Sequence, residues 1–505
     1  MSINRDECSV EQTQTLTNPQ ELKYSKPTWI QVLPQITSAC IAHTLVLQVG
    51  IHMAYSTIQI PHLNLTTGQA SWLASLVTIT NPIGALCMGL VMDRLGRKLS
   101  LTLVCVPFIF SSLLTLYSDP TDVSLLYISK TCAGVGSGMS TVALVYVSEI
   151  SHGDYRPALL CLNSVFISFG ILLTTILNLY LDWRSLSACF LALIAGSGFL
   201  LLCFVPESPH WLMSFDRSSE DLRHAKAKTS LQYLNPNKAM FDQEWRLLNQ
   251  VRTRHDESKE GSLLGKLFTS KQCYRPLRVL LILFTLQQLT GVYPIIFYAM
   301  QLFKQVGTDI GAGFDESHAL VFLGAMRFLM SGVSVVLARG VGRKHLLVVS
   351  GAGLCLFSWL LSGNLLVKSS YGDCPLRNST HTDAAMYNAP CQSLHSSLTS
   401  DRLSLLFILL YVCFSAVGVI IIPWTMIGEL LPSYARGTCS GLMISYGYVC
   451  MFGMVKGFPF ALEYSVIGTF FTFGFISLIL VVFVYFYLPE TKGKTFVEIE
   501  NFFSR

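Results

Sequence analysis

Gln287 and Gln288 stand side by side in the middle of a long uncharged run, where an amide left without a partner would cost several kcal/mol. A polyol could satisfy amide donors and acceptors together, and so could an interhelical clamp, a role glutamine often takes between membrane helices. Trp424, directly after Pro423 in another apolar run, offers a flat face for a pyranose ring, or else an interface anchor. Arg327 lies half-way along a third run. A central arginine costs about 2.5 to 3.5 kcal/mol on insertion scales, and such charges usually face a cavity or a partner. Backbone carbonyls, Tyr293 or a bound solute could be that partner; snorkelling toward the interface is the competing reading. His52, in the first apolar run, has a side chain that titrates near neutrality, so it is a candidate proton site as well as a plain hydrogen-bonding residue. No Gly-x-x-x-x-Gly-Lys-Ser/Thr motif and no metal-ligand cluster occurs, so ATP hydrolysis, covalent catalysis, metals and cofactors are not expected.

The elements that must carry these residues are membrane spans. Hydrophobic residues make up 51% of the chain and charged residues only 13%, with a mean hydropathy of +0.50. A soluble domain has about 25% charged residues. Crossing about 30 Å of hydrocarbon takes about 20 residues, and suitable runs lie near 32–60, 71–91, 100–117, 124–147, 157–180 and 185–205. A second six lie near 277–302, 317–337, 346–367, 403–427, 437–460 and 465–488. The expected division is a tail at 1–31, a six-helix bundle at 32–206, a linker at 207–276, a second bundle at 277–488 and a tail at 489–505.

Three short stretches between spans occur twice. Asp93-Arg94-Leu95-Gly96-Arg97-Lys98 returns as Arg339-Gly340-Val341-Gly342-Arg343-Lys344; Glu149 with Arg156 returns as Glu429 with Arg436; Pro206-Glu207-Ser208 returns as Pro489-Glu490-Thr491. Duplicated membrane halves are the mark of a carrier in which two bundles rock about a site between them. The second copy is imperfect, with Arg339 where the first has Asp93 and Gly340 where it has Arg94. Its charge cluster should therefore not mirror the first, and the halves should gate unequally.

Lysine and arginine crowd the loops after spans two and eight and the 207–276 segment, while the turns near 61–70, 118–123 and 461–464 have none. By the positive-inside rule both termini are cytoplasmic, and the net charge of +5 follows from this loop bias rather than from a nucleic-acid surface. The glycosylation sequons at Asn64 and Asn378 fall in loops that the charge rule places outside. Residues 1–30 lack the apolar core of a cleavable signal, so span one would serve for insertion. Most of the 15 cysteines lie in apolar spans; Cys374 and Cys391 share the long external loop and could pair. In the linker, Leu222, Ala225, Leu231, Leu234, Trp245, Leu248 and Val251 recur at helical spacing, which predicts short amphipathic helices rather than a separate domain; a floppy linker is the alternative.

Gly89-x-x-x-Asp93-Arg94-x-Gly96-Arg97-Lys98, Pro206-Glu207-Ser208-Pro209, Gln287-Gln288-Leu289-Thr290-Gly291, Pro423-Trp424 and Pro489-Glu490-Thr491-Lys492-Gly493 occur in one order along the chain. In this the sequence resembles the sugar porter family of the major facilitator superfamily, over residues 32 to 500. Ser71-Trp72-Leu73-Ala74-Ser75, Pro82-Ile83-Gly84 and Lys456 look most like the insect facilitated trehalose transporter group. The resemblance implies an all-α membrane protein of twelve transmembrane helices in two pseudo-symmetric six-helix bundles, with short cytoplasmic helices between them. It implies that Asp93, Glu149, Glu207, Glu429 and Glu490 face Arg94, Arg97, Arg156, Arg343 and Arg436 across helix ends and latch an outward-open state. Each exposed pair would contribute only about 0 to 1 kcal/mol, so a network is needed.

The resemblance also assigns Gln287 and Gln288 to sugar hydroxyls, with Trp424 stacking. Departures from the glucose carriers bear on the solute. Val292-Tyr293 stands where they have Ile-Asn, Ser164 replaces a glutamine in span five, Ala416 a glutamate in span ten, and Arg327 an asparagine in span eight. Gly447 and Met451 occupy positions where span eleven often has asparagines. Span one lacks the aspartate of proton-linked relatives, and only His52 lies near its place. The expected function is facilitative transport of trehalose or a related sugar by a monomeric uniporter in the plasma membrane. A proton-coupled symporter and a sugar sensor without flux are the alternatives.

Overall fold

The computed structural model describes residues 28–63, 65–119, 123–216, 218–257, 271–306, 316–372, 391–431, 436–491 and 502–503, and among these nearly every element is a helix. Asn64, Asn378 and Cys374 lie outside the described residues, as do the side chains of Arg339, Cys391, Arg436 and Val251.

Among the described residues twelve helices are long and apolar enough to cross a membrane: Leu33–His62, Thr67–Leu95, Arg97–Leu116, Ser124–Ile150, Arg156–Leu177, Trp183–Phe204, Tyr274–Phe297, Ser317–Leu337, Arg343–Ser369, Arg402–Ile427, Cys439–Tyr464 and Val466–Tyr487. They are numbered here as spans one to twelve. In lipid, every backbone polar group must be satisfied within the protein, which is why the chain crosses only as helix. Span two starts with a capping box: Thr66 Oγ1 accepts from the Gln69 amide at 3.3 Å, and Gln69 Oε1 accepts from the Thr66 amide at 3.0 Å. The Asp182 carboxylate caps span six through the Arg184 amide at 3.3 Å.

The contacts obey the duplication. In the first half the principal packings are spans one with five, two with four, three with four and three with six; the second half repeats them as seven with eleven, eight with ten, nine with ten and nine with twelve. The halves meet along spans two with eleven and five with eight, with the end of span one against span seven. This is a two-fold seam between two six-helix bundles.

Three spans are broken. Span four is helical over Ser124–Met139 and again over Thr141–Ile150. Span seven runs as Lys271–Leu289 and Val292–Phe297, interrupted at Gly291 in the left-handed region with φ +81°. Span ten runs as Cys391–Val417 and Ile422–Leu430. The breaks in spans seven and ten are where backbone carbonyls become available to side chains.

Between the halves lie helices Pro209–Ser214, Glu220–Leu234 and Lys238–Glu257. Trp211, Leu212, Met213, Ala227 and Leu248 form their small core, with Trp245 packed on it. Leu222 and Ala225, expected on the packed face, are exposed, and the buried stripe is Ala227, Ser230, Leu231 and Leu234. That stripe follows the i, i+3, i+4, i+7 rule, and Leu222 lies off it. The segment is anchored to span one, where Gln35 Nε2 donates to Asn235 Oδ1 at 2.8 Å and Gln35 Oε1 accepts from the His152 amide at 2.8 Å.

Candidate solute site and gates

At the end bearing the basic loops, the charged residues form one cluster in each half. In the first, Arg97 reaches Glu149 through Nη2 at 2.8 Å and Nε at 3.1 Å, and Asp93 through Nη1 at 2.8 Å. Glu207 Oε1 accepts from the Arg97 amide at 2.7 Å and the Lys98 amide at 3.1 Å, capping span three where the helix dipole favours an anion. Ser208 Oγ donates to Glu149 Oε2 at 2.5 Å. Gly96 permits this approach: its φ is +95°, and a Cβ there would lie 2.5 Å from Glu207 Oε2. Burial raises the Glu207 carboxyl above its ordinary pKa, opposed by the amides of Ser208, Lys98 and Arg97 that donate to it.

The second half repeats the wiring. Arg343 Nη2 lies 3.2 Å from Glu429 Oε1, Glu490 Oε1 accepts from the Arg343 amide at 3.0 Å, and Thr491 Oγ1 donates to Glu429 Oε2 at 2.5 Å. A Cβ on Gly342 would meet Glu490 Oε2 at 2.2 Å. The second cluster follows the wiring of the first except at Asp93, whose counterpart in the sequence is Arg339, and Arg343 is 19% exposed against 4% for Arg97. Among the described residues these pairs join helices of the same half and brace it. Arg94 is exposed, and Arg156 donates through Nη2 to the Ser151 carbonyl at 3.1 Å.

The seam itself is fastened toward the opposite end. Thr57 Oγ1 donates to the Ile296 carbonyl at 2.6 Å, Ser71 Oγ to the Lys456 carbonyl at 2.7 Å, and Thr67 Oγ1 to Glu463 Oε1 at 2.5 Å. Lys456 Nζ stands 3.4 Å from the centroid of the Trp72 ring, a cation–π contact between spans two and eleven. Nearer the middle, Ser168 and Ser331 hydrogen-bond at 2.8 Å, linking spans five and eight.

Around the broken helices of the second half lies a group of polar and aromatic side chains. Trp424 Nε1 donates to Tyr293 Oη at 3.0 Å; the indole is edge-on to Phe284 at 4.9 Å and tilted against Tyr448 at 5.4 Å. Trp424 and Tyr448 are half-buried, whereas Tyr293 and Phe284 are buried. Gly447 makes room for them, since a Cβ there would lie 2.8 Å from Phe284 Cδ1 and 3.3 Å from Trp424. Arg327 is buried within electrostatic reach of the Tyr293 phenol. Gln287 Nε2 donates to the Val419 carbonyl at 2.6 Å in the break of span ten, so its NH2 group does act as a clamp.

Several buried polar atoms have no partner among the described residues: Gln287 Oε1, both amide atoms of Gln288, Arg327 Nε and Nη1, Asn81 Oδ1, and both polar atoms of Gln48, His52 and Gln59. Buried polar groups are normally paired, so these atoms keep hydrogen-bonding capacity that a polar ligand could use. His52 stacks on Phe108 at 5.3 Å. Ser164 is half-buried one turn before Ser168 on the face toward span eight. Sequence reading missed Lys130, buried in span four, with Nζ 3.0 Å from Ser56 Oγ and 4.9 Å from the Tyr55 ring centroid. Its signal was a lone lysine in an otherwise apolar run. Asn81 and Tyr448 gave no such signal.

The profile of the family described as "Sugar (and other) transporter" matches residues 36–503. Facilitated trehalose transporter Tret1 of Aedes aegypti is 29% identical over 94% of this chain, which spans 55% of that relative's length. Tret1 of Bombyx mori is 29% identical over 90% of this chain and 84% of its own. Among solved structures, the inward-open xylose transporter XylE of E. coli aligns with a TM-score of 0.69 at 18% identity, over 93% of this chain and 99% of XylE. The proton:xylose symporter XylE bound to 6-bromo-6-deoxy-D-glucose aligns with a TM-score of 0.70 at 18% identity, over 94% and 99%. The chain is a multi-pass membrane protein of the major facilitator fold and belongs to the sugar transporter family.

Proposed function

We propose that the protein carries a sugar of the trehalose class across the plasma membrane as a monomeric facilitative uniporter by alternating access, with both termini cytoplasmic. Residues 32–206 and 277–488 are the moving units. The observation that carries this reading is the set of unpartnered buried polar atoms on Gln287, Gln288 and neighbouring residues beside the half-buried Trp424 and Tyr448. Amide groups that donate and accept suit hydroxyls, and the aromatic faces suit the apolar side of a pyranose. The positive-inside rule puts the basic end in the cytoplasm. The fastened end, with Trp72, Lys456 and Glu463, then faces outward, and the molecule is in an inward-facing state.

Uniport is supported by the absence of Asp and Glu from span one and by the packing of His52 against Phe108, with no carboxylate beside it among its described contacts. Tracer uptake of trehalose, glucose and an inositol in a cell lacking its own carriers tests the reading. Saturable flux of a sugar down its gradient, unchanged by a protonophore, is expected. Flux abolished by the protonophore would replace uniport with proton coupling, and binding without flux would make the protein a sensor.

A further inference from the structure

Arg327 stands at the centre of span eight, 2% exposed, with Nε and Nη1 unpartnered. A guanidinium does not give up its proton in a protein, so the site holds a permanent positive charge. No Asp or Glu lies inside any of the twelve spans; Asp93, Glu149 and Glu463 are within three residues of span ends. The second buried cation, Lys130, is itself met only by the Ser56 hydroxyl and the Tyr55 ring among described residues. Among the described residues the interior therefore carries positive charge without a protein counter-charge. A lone buried charge is costly unless something pairs it.

The neighbouring donors sharpen this. Tyr293 Oη already accepts the Trp424 indole hydrogen, which leaves its own hydrogen to be donated. Arg327 Nε–H, Arg327 Nη1–H and Tyr293 O–H are all donors, and a group that only accepts is their complement. A hydroxyl both donates and accepts, which suits Gln287 and Gln288 but leaves the arginine's charge uncompensated. A carboxylate or phosphate accepts from several donors and supplies the charge.

Resting on the reading of the protein as a sugar carrier, we propose that its preferred solute is an anionic polyol, a sugar bearing a carboxylate or phosphate. The anionic group docks on Arg327 and Tyr293, and the hydroxyls on Gln287 and Gln288.

The test uses the full chain in proteoliposomes, with tracer glucuronate, glucose 6-phosphate, glucose and trehalose, each with and without chloride, and with membrane current recorded. Uptake of glucuronate or glucose 6-phosphate should exceed that of glucose by about tenfold or more, carry current, and compete with the other anion. Which of the two is faster separates a carboxylate site from a phosphate site. Arg327→Gln should lose about 10- to 100-fold in anion uptake, while Arg327→Lys recovers part of it. The wild-type comparison needs no variant and stands even if Arg327→Gln does not fold. Neutral sugar carried as fast as its anionic derivative, or carried only with chloride, overturns the proposal and leaves the sugar-carrier reading intact. No flux of any of the four overturns both.

Discussion

Arg97 is nearly buried and gives three of its hydrogen-bonding directions to Glu149 and Asp93. Removing one partner of a buried pair strands the other, at about 3 to 5 kcal/mol. Arg97→Ala should lower the unfolding midpoint in detergent sharply, and more than Arg343→Ala does, because Arg343 is the more exposed. Gly447 is a subtler position. A methyl group added there meets the Phe284 and Trp424 rings first, and overpacking of this kind typically costs about 1 to 3 kcal/mol. Gly447→Ala should therefore raise the KM for uptake by tilting the indole, with a modest loss of thermal stability; an unchanged KM would remove Trp424 from the solute site.

At the scale of elements, the packing of span two on span eleven fastens the end away from the basic loops. The Trp72–Lys456 contact, at 47% exposure of the indole, contributes about 0.5 to 2 kcal/mol to that arrangement. Trp72→Ala should shift the population toward opening at that end, read as faster labelling of a cysteine introduced in the C-terminal half of span eleven. The start of span three makes a different prediction. The raised Glu207 pKa means the folded protein holds that proton more tightly than the unfolded chain does. Its stabilising share is then full below the ordinary carboxylate pKa and is lost as pH rises through the raised value. The unfolding midpoint of wild type relative to Glu207→Gln should accordingly fall as pH rises above the ordinary carboxylate range and level off once the raised pKa is passed.

Over the whole molecule, the two clusters are separate braces, one per bundle. The stability losses of Arg97→Ala and Arg343→Ala should add to within about 0.5 kcal/mol in the double variant, as sites without shared partners do; a large coupling term would show that the braces communicate across the seam.

Much of this architecture was legible in the chain. Twelve apolar runs can only be helices in a bilayer, and repeated charged motifs can only mean repeated bundles. What stayed hidden was partnership. Nothing in the spacing of Glu207 and Arg97 reveals that the carboxylate meets the backbone amide of Arg97 rather than its guanidinium. Trp72 and Lys456 were visible as marks of a group, but their contact depends on how two distant spans cross. Lys130 was lost because a single lysine in an apolar run does not show what it meets, whereas its burial against Ser56 and Tyr55 is a tertiary fact.

The bond from Gln287 to the Val419 carbonyl ties the two broken spans of the second half together through one amide hydrogen. The second hydrogen and the unpartnered Oε1 are left over. A solute hydroxyl bound there as proposed would be held by a side chain that already yokes the two spans, which would give the passenger a direct hold on the mechanism that moves it.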